Sequence, residues 1–255
     1  MTLNKQSIIK SFFLEKELDD YVINLLYQEF LKPGLILLPS GNTFEQNIYP
    51  QLDSIFSSTE FQTFNPKAQD TKIHQLKKKT HSGLMLSHLD ELIPDEASGD
   101  KHRFANAIKF KIPNILFQLK IIFKEIDIND TEGFRQYLKS TGPRLIFAGL
   151  GADPNHSHFA FIGEEFINTE TTKITLSEKI QEVHNCKEAI TIGTDILKLN
   201  SLEKIYVVVK GASKAESLKA AFEDDTTGLG YVIANHADKL CIITDSKALE
   251  LIDIN

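Results

Sequence analysis

The sequence predicts an α/β protein, a mostly parallel sheet with helices on both faces, and three observations predict it. Short, continuously apolar runs recur along the chain, at 35–38, 84–86, 145–148 and 240–243, joined by a run rich in β-branched residues at 204–209. Stretches whose apolar residues recur at helical spacing separate these runs, the alternation of a parallel sheet wrapped by its own crossover helices. Where the runs stop, glycines and chemically able side chains follow, and open α/β sheets gather ligands beyond the carboxyl ends of their strands.

Taken in order, residues 13–31 carry Leu14, Leu18, Val22, Leu25 and Leu26 between acidic residues, which reads as a helix with one solvated face, ended by Pro33-Gly34. Residues 35–38 make a buried strand. Pro39-Ser40-Gly41-Asn42-Thr43 turns out of it into an amphipathic helix through Ile48, Leu52 and Ile55, and such a start collects backbone N–H groups at the positive end of a dipole. Residues 57–81 are polar and lysine-rich, and Lys77-Lys78-Lys79 reads as a solvated face. The strand at 84–86 runs into Ser87-His88-Leu89-Asp90-Glu91. Residues 94–102 read as loop, then 104–122 and 132–139 as helices, with Pro113 breaking the first. The run at 145–148 is stopped by Gly149 and Gly151 and leads to Asp153, His156 and His158. Beyond it, 173–176 and 188–192 are strand candidates, Gly193 starts a short helix, and the β-branched run 204–209 passes through Gly211-Ala212-Ser213-Lys214 into a helix reaching Phe222. The last run, 240–243, leads to Thr244-Asp245 as the expected cap of a final helix.

The chain has 255 residues, 42% of them hydrophobic and 25% charged, enough for a full core in one large domain. A formal charge of −7 argues against a nucleic-acid partner, which needs basic patches to replace phosphate counterions. It leaves room for a small anionic ligand, because a few local donors can hold a phosphate on an acidic protein. Neither a signal peptide nor a membrane span is read, so no membrane partner is expected. Cys186 and Cys241 stand far apart without Cys-x-x-Cys spacing and read as reduced thiols of a cytoplasmic protein.

At the central loop, Gly149-Leu150-Gly151 lacks the third glycine of a dinucleotide fingerprint, and Pro154 interrupts the helix start it would need. His156, His158 and Asp153 find no further ligand at metal spacing, so no metal is expected. Ser40 is not in a Gly-x-Ser-x-Gly elbow. Four strand ends nonetheless carry suggestive groups: Ser40 to Thr43, Asp90, Asp153 with His158, and Lys214.

In order and context these groups resemble the glucosamine-6-phosphate deaminase and 6-phosphogluconolactonase superfamily, over nearly the whole chain. Leu38-Pro39-Ser40-Gly41-Asn42-Thr43 is similar to the family's first phosphate loop, with Asn42 where a second glycine is usual. Gly211-Ala212-Ser213-Lys214-Ala215 is similar to its second anchor. The resemblance implies a modified Rossmann-like fold of the deaminase, ribose-phosphate isomerase and CoA-transferase kind, one domain over 1–255 with 57–81 as an insertion. It also implies a sugar 6-phosphate held by Ser40, Gly41, Asn42 and Thr43, with Lys214 as counter-charge. Leu89-Asp90-Glu91-Leu92 and His158-Phe159-Ala160-Phe161 resemble the deaminase branch, since lactonases tend to carry an arginine where Leu92 stands.

On that reading Asp90 moves the proton between sugar C2 and C1. His158 opens the ring, and Asp153 and Glu164 set its tautomer and charge. The expected activity is conversion of glucosamine-6-phosphate to fructose-6-phosphate and ammonia, with no cofactor and with self-association possible. A 6-phosphogluconolactonase and a non-catalytic sugar-phosphate sensor are the alternatives. Three departures from the pattern stand out: the usual Asp-Gly-His has grown to Asp153-Pro154-Asn155-His156-Ser157-His158, so His156 competes with His158; Gly163 displaces Glu164 by one position; and residues 171–186 hold no clear match to the family's arginine and Asn-x-Arg-Phe-Phe elements.

Overall fold

The computed structural model describes residues 5–57, 83–94, 103–151, 158–162, 167 and 169–253. Seven strands form one parallel sheet: β1 (Ile9–Phe12), β2 (Gly34–Leu38), β3 (Leu84–His88), β5 (Ile122–Lys124), β6 (Pro143–Gly149), β9 (Lys204–Val209) and β10 (Leu240–Asp245), in the order β1-β10-β9-β6-β2-β3-β5. A second, antiparallel sheet joins β4 (Asp90–Ile93), β8 (Glu188–Thr191) and β7 (Thr172–Thr175), with β8 in the middle; α6 (Glu178–His184) connects β7 to β8, and α7 (Thr194–Leu197) follows β8.

Each central strand of the large sheet divides its side chains between two cores, because successive residues point to opposite faces. Leu35, Leu37, Ile146, Ala148, Ile205 and Val207 enter one core, where they meet Phe134 and Leu138 of α5 (Thr131–Thr141), Leu218 of α8 (Ala215–Glu223) and Val232 of α9 (Gly228–His236). Ile36, Leu38, Leu86, Leu145 and Phe147 enter the other. There they meet Leu18, Val22 and Leu26 of α1 (Glu15–Phe30), Leu52 and Phe56 of α2 (Tyr49–Ser57), Ile108 of α3 (Phe104–Lys111) and Ile115 of α4 (Pro113–Leu119). Burial on both faces is why these strands read as unbroken apolar runs.

Three strands escape sequence reading. β1 and β5 lie at the edges of the sheet, are four and three residues long, and are largely open to solvent, so they carry no apolar run. The strand β5 also replaces the end of the helix expected over 104–122, which stops at Leu119. β4 begins one residue after β3 ends, at Asp90, and belongs to the small sheet together with the two runs expected at 173–176 and 188–192. The final helix expected after Thr244-Asp245 is absent. Residues 246–251 form consecutive turns, and Asp245 instead accepts hydrogen bonds from Ala248 N–H (2.9 Å) and Gly211 N–H (2.8 Å). Of the expected insertion at 57–81, all but Ser57 lies outside the described residues.

The chain runs outward from β2 through β3 to β5, then returns to lay β6 against the other side of β2 and continues to β9 and β10. The order therefore reverses between β2 and β6, the topological switch point beyond which α/β sheets hold their ligands. Because every strand is parallel, the loops following β9, β6, β2 and β3 emerge side by side at one edge.

Candidate functional site

The loop after β2 is shaped by Gly41, whose φ of 132° lies where side-chain-bearing residues are strained. The Tyr49 hydroxyl, buried, donates to the Pro39 carbonyl (2.7 Å) and holds the loop against the core. The following helix begins as a π-helical stretch, Thr43–Ile48, and only then becomes α2. At its start the Gly41 N–H donates to Glu45 Oε1 (3.0 Å). The amide that sequence reading assigned to a phosphate thus already faces a carboxylate of its own chain.

Asp90 is 6% exposed and opens β4, separated from the end of β3 by Leu89 alone. Its backbone is clamped: His88 Nδ1 lies 2.9 Å from the Asp90 carbonyl and donates to it, since His88 Nε2 is engaged as acceptor of the Ile126 N–H (3.0 Å). That pair of bonds fixes the neutral tautomer, and burial holds His88 down at about 3. The Asp90 side chain reaches back to the β2 loop, where Ser40 Oγ donates to its Oδ1 (3.4 Å). Burial first, and then the negative charge of Glu91, push the Asp90 carboxyl up to about 7, with the Ser40 bond pulling the other way. A carboxylate poised near neutral pH is suited to taking and returning a proton.

His158 returns from the loop after β6. Its carbonyl accepts the Gly151 N–H (3.2 Å), and Leu150 bridges Phe159. The imidazole lies flat against Gly151, where an added Cβ would stand 2.3 Å from His158 Cε1, so only glycine leaves it room. A tight turn follows, with Ala160 at a positive φ of 53°. The Phe161 ring is tilted against the His158 ring, their centroids 5.9 Å apart, and the Phe161 N–H donates to Thr191 Oγ1 (3.3 Å), the residue paired with Asp90 across β4 and β8. Thr191 therefore ties the His158 turn to the strand that carries Asp90.

Lys214 ends a 3-10 turn, Ala212–Lys214, entered through Gly211 at φ 85°. The ammonium is half-buried, burial pulls its pKa down, and among the described residues no carboxylate pairs with it. It stands at the carboxyl end of β9, next to β6. Ser40 and Asp90 are thus in contact, His158 is joined to Asp90 through Phe161 and Thr191, and Gly41, Asn42 and Thr43 after β2 lie on the same edge as Lys214 after β9, with β6 between the two strands. Asp153, His156 and Glu164 lie outside the described residues. Sequence reading missed the roles of Glu45, His88 and Thr191. Glu45 alone left a trace, standing one helical turn after the loop glycine. Among the described residues, no cluster of three or more His, Cys, Asp or Glu side chains could hold a metal ion, and no helix is long and apolar enough to cross a membrane.

Fold and switch point together define a doubly wound α/β protein with an acid, an imidazole and an amine at the carboxyl edge of a parallel sheet. Neither a protein-family model nor a curated protein matches the sequence. Solved structures do share the fold. A monomeric glucosamine-6-phosphate deaminase, described as a missing link of the NagB superfamily, superposes with a TM-score of 0.67 at 18% identity, covering 96% of this chain and 100% of that one. The 6-phosphogluconolactonase from Leishmania guyanensis gives 0.66 at 10% identity, covering 96% and 98%. That from Trypanosoma brucei gives 0.64 at 13% identity, with the same coverages of 96% and 98%. The modified Rossmann-like fold expected from the sequence is the fold of these proteins.

Proposed function

We propose that the protein is a sugar-phosphate isomerase/deaminase that converts glucosamine-6-phosphate to fructose-6-phosphate and ammonia. The observation that carries this reading is Asp90, a buried carboxyl at about 7 that touches the loop after β2 through Ser40. In the proposed reaction the 6-phosphate lies on Ser40, Gly41, Asn42 and Thr43, displaces the Glu45 carboxylate from the Gly41 amide, and is neutralised by Lys214. His158, assisted by Asp153 and Glu164, opens the sugar ring by moving the proton between the ring oxygen and the anomeric hydroxyl. Asp90 then takes the proton from C2 and returns it to C1 while a proton passes from the amine nitrogen to O1, which converts the amino aldose into a C2 imine with a C1 hydroxyl. Water adds to that imine and ammonia leaves, so the nitrogen departs without redox change or a cofactor. The enzyme acts in the cytoplasm.

Lactone hydrolysis is the second reading, favoured by TM-scores for two lactonases within a few hundredths of that for the deaminase. There His158 activates water, and Asp90 moves no proton between carbons. Ammonia release from glucosamine-6-phosphate separates the two. The expected result is release by the native protein and loss of at least a thousandfold in Asp90→Asn, with sugar-phosphate binding retained. Acid release from 6-phosphogluconolactone with no ammonia from the amino sugar overturns the deaminase reading in favour of the second; binding without either product leaves a sugar-phosphate sensor.

A further inference from the structure

Asp90 and Glu91 are consecutive residues of β4, so they point to opposite faces of the strand, and the structure treats them unequally. Glu91 is fully buried and richly supplied with donors. Its Oε1 accepts from Phe104 N–H (2.7 Å) and Leu92 N–H (3.1 Å), its Oε2 from Ala105 N–H (3.2 Å), and Arg103 Nε stands 3.4 Å from Oε2. Two of those amides open α3, so the carboxylate also faces the positive end of that helix. Asp90, by contrast, has the Ser40 hydroxyl at 3.4 Å.

We propose that Glu91 is a positioning residue for the base: a buried anion, locked by its donors, that stands behind Asp90 and adds to burial in keeping the proton on Asp90. Two adjacent buried carboxyls do not both ionise freely, and the one with fewer donors keeps the proton. Burial raises the Glu91 carboxyl above the usual carboxylate range, and Arg103 and three backbone N–H groups pull against that rise without cancelling it. Of the other charged and titratable groups around the pair, His88 is held neutral by burial and its two hydrogen bonds, and the Arg103 charge is shared between Glu91 and Glu125 (3.9 Å), itself paired to Lys109 (2.6 Å). Asp90 therefore works beside a fixed negative charge that it cannot move away from. The same carboxylate caps α3, which makes the helix the device that holds the charge in place.

The proposal rests on reading Asp90 as the proton-transfer base, but its test does not need turnover. Carboxyl carbons of protein labelled in Asp and Glu side chains are titrated by NMR without substrate. Glu91 is expected to ionise at lower pH than Asp90, and Glu91→Gln is expected to move the Asp90 midpoint toward acid by about one pH unit, the acid limb of the ammonia-release profile moving with it. A role confined to capping α3 would lower the unfolding temperature and leave the Asp90 midpoint in place. Native Glu91 titrating above Asp90, or an unmoved Asp90 midpoint in folded Glu91→Gln, overturns the proposal; if that variant does not fold, the order of the two midpoints in the native protein decides. Absence of ammonia with the expected midpoints would reject the deaminase reading and leave the charge relation standing.

Discussion

Asp90 and His88 sit two residues apart in buried backbone and are displaced in opposite directions, the carboxyl up to about 7 and the imidazole down to about 3. Each displacement is also a statement about stability. Folded Asp90 keeps its proton above the ordinary value of 3.8, so the stability tied to it is complete below 3.8 and is lost as pH rises through about 7. Folded His88 resists its proton, so its contribution is complete above 6.5 and is lost as pH falls through about 3. Between roughly pH 4 and 6.5 the two slopes oppose each other. Asp90→Asn removes the first and leaves the second. We expect the variant to lose turnover yet to gain up to about 4 kcal/mol of stability at pH 8, and almost none at pH 4. Denaturant unfolding of both proteins at the two pH values checks this, and an equal gain at both would show that burial of the Asp90 charge is not what limits stability. The paired acidic letters Asp90-Glu91 were plain in the sequence, but not their division of labour. That depends on which residue meets α3 and which meets Ser40, and a strand known only from its letters has no faces.

At the scale of elements, the site is held by helices and turns whose contacts are set by small residues. The first turn of α9 packs its Gly228 onto the turn that follows His158: a Cβ there would stand 2.0 Å from the Ile162 carbonyl oxygen and 2.8 Å from the Phe159 nitrogen. Both neighbours are backbone, so neither can swing aside. The helix itself is started by Thr227, whose Oγ1 accepts the Gly230 N–H (3.0 Å). Gly228→Ala is expected to cost about 1–3 kcal/mol through overpacking and, by shifting the turn, to lower turnover at least tenfold while sugar-phosphate affinity changes little. Thermal unfolding together with kcat and KM checks it; a stable variant with native kcat would show that α9 does not fix the turn. Helices with an apolar stripe, such as α1 and α2, were legible in advance. The start of α2 as a π-helical stretch was not, because its letters give no cue that distinguishes it from an ordinary turn.

For the molecule as a whole, the large sheet is closed by a strand from each end of the chain. β1 pairs in parallel with β10, through Ile242 N–H to Ile8 carbonyl (2.7 Å) and Ser246 N–H to Phe12 carbonyl (2.9 Å). Deleting residues 1–12 would leave β10, with its fully buried Ile242 and Ile243, as an open apolar edge. The truncated protein is expected to unfold at lower temperature and to elute as aggregate in size-exclusion chromatography; a monodisperse product as stable as the parent would refute that role for β1. The sequence by itself determined the class of fold, the central strands and the strand ends after which Ser40, Asp90, His158 and Lys214 stand, because burial on two faces and glycine turns leave marks readable within a few residues. Only the tertiary structure decided that β4 leaves the main sheet, that Glu45 rests on the Gly41 amide, that Thr191 ties the His158 turn to Asp90 and that Glu91 faces the start of α3. Those are contacts between residues far apart in the chain or on opposite faces of one strand, and their energies depend on distances that no local run of letters contains.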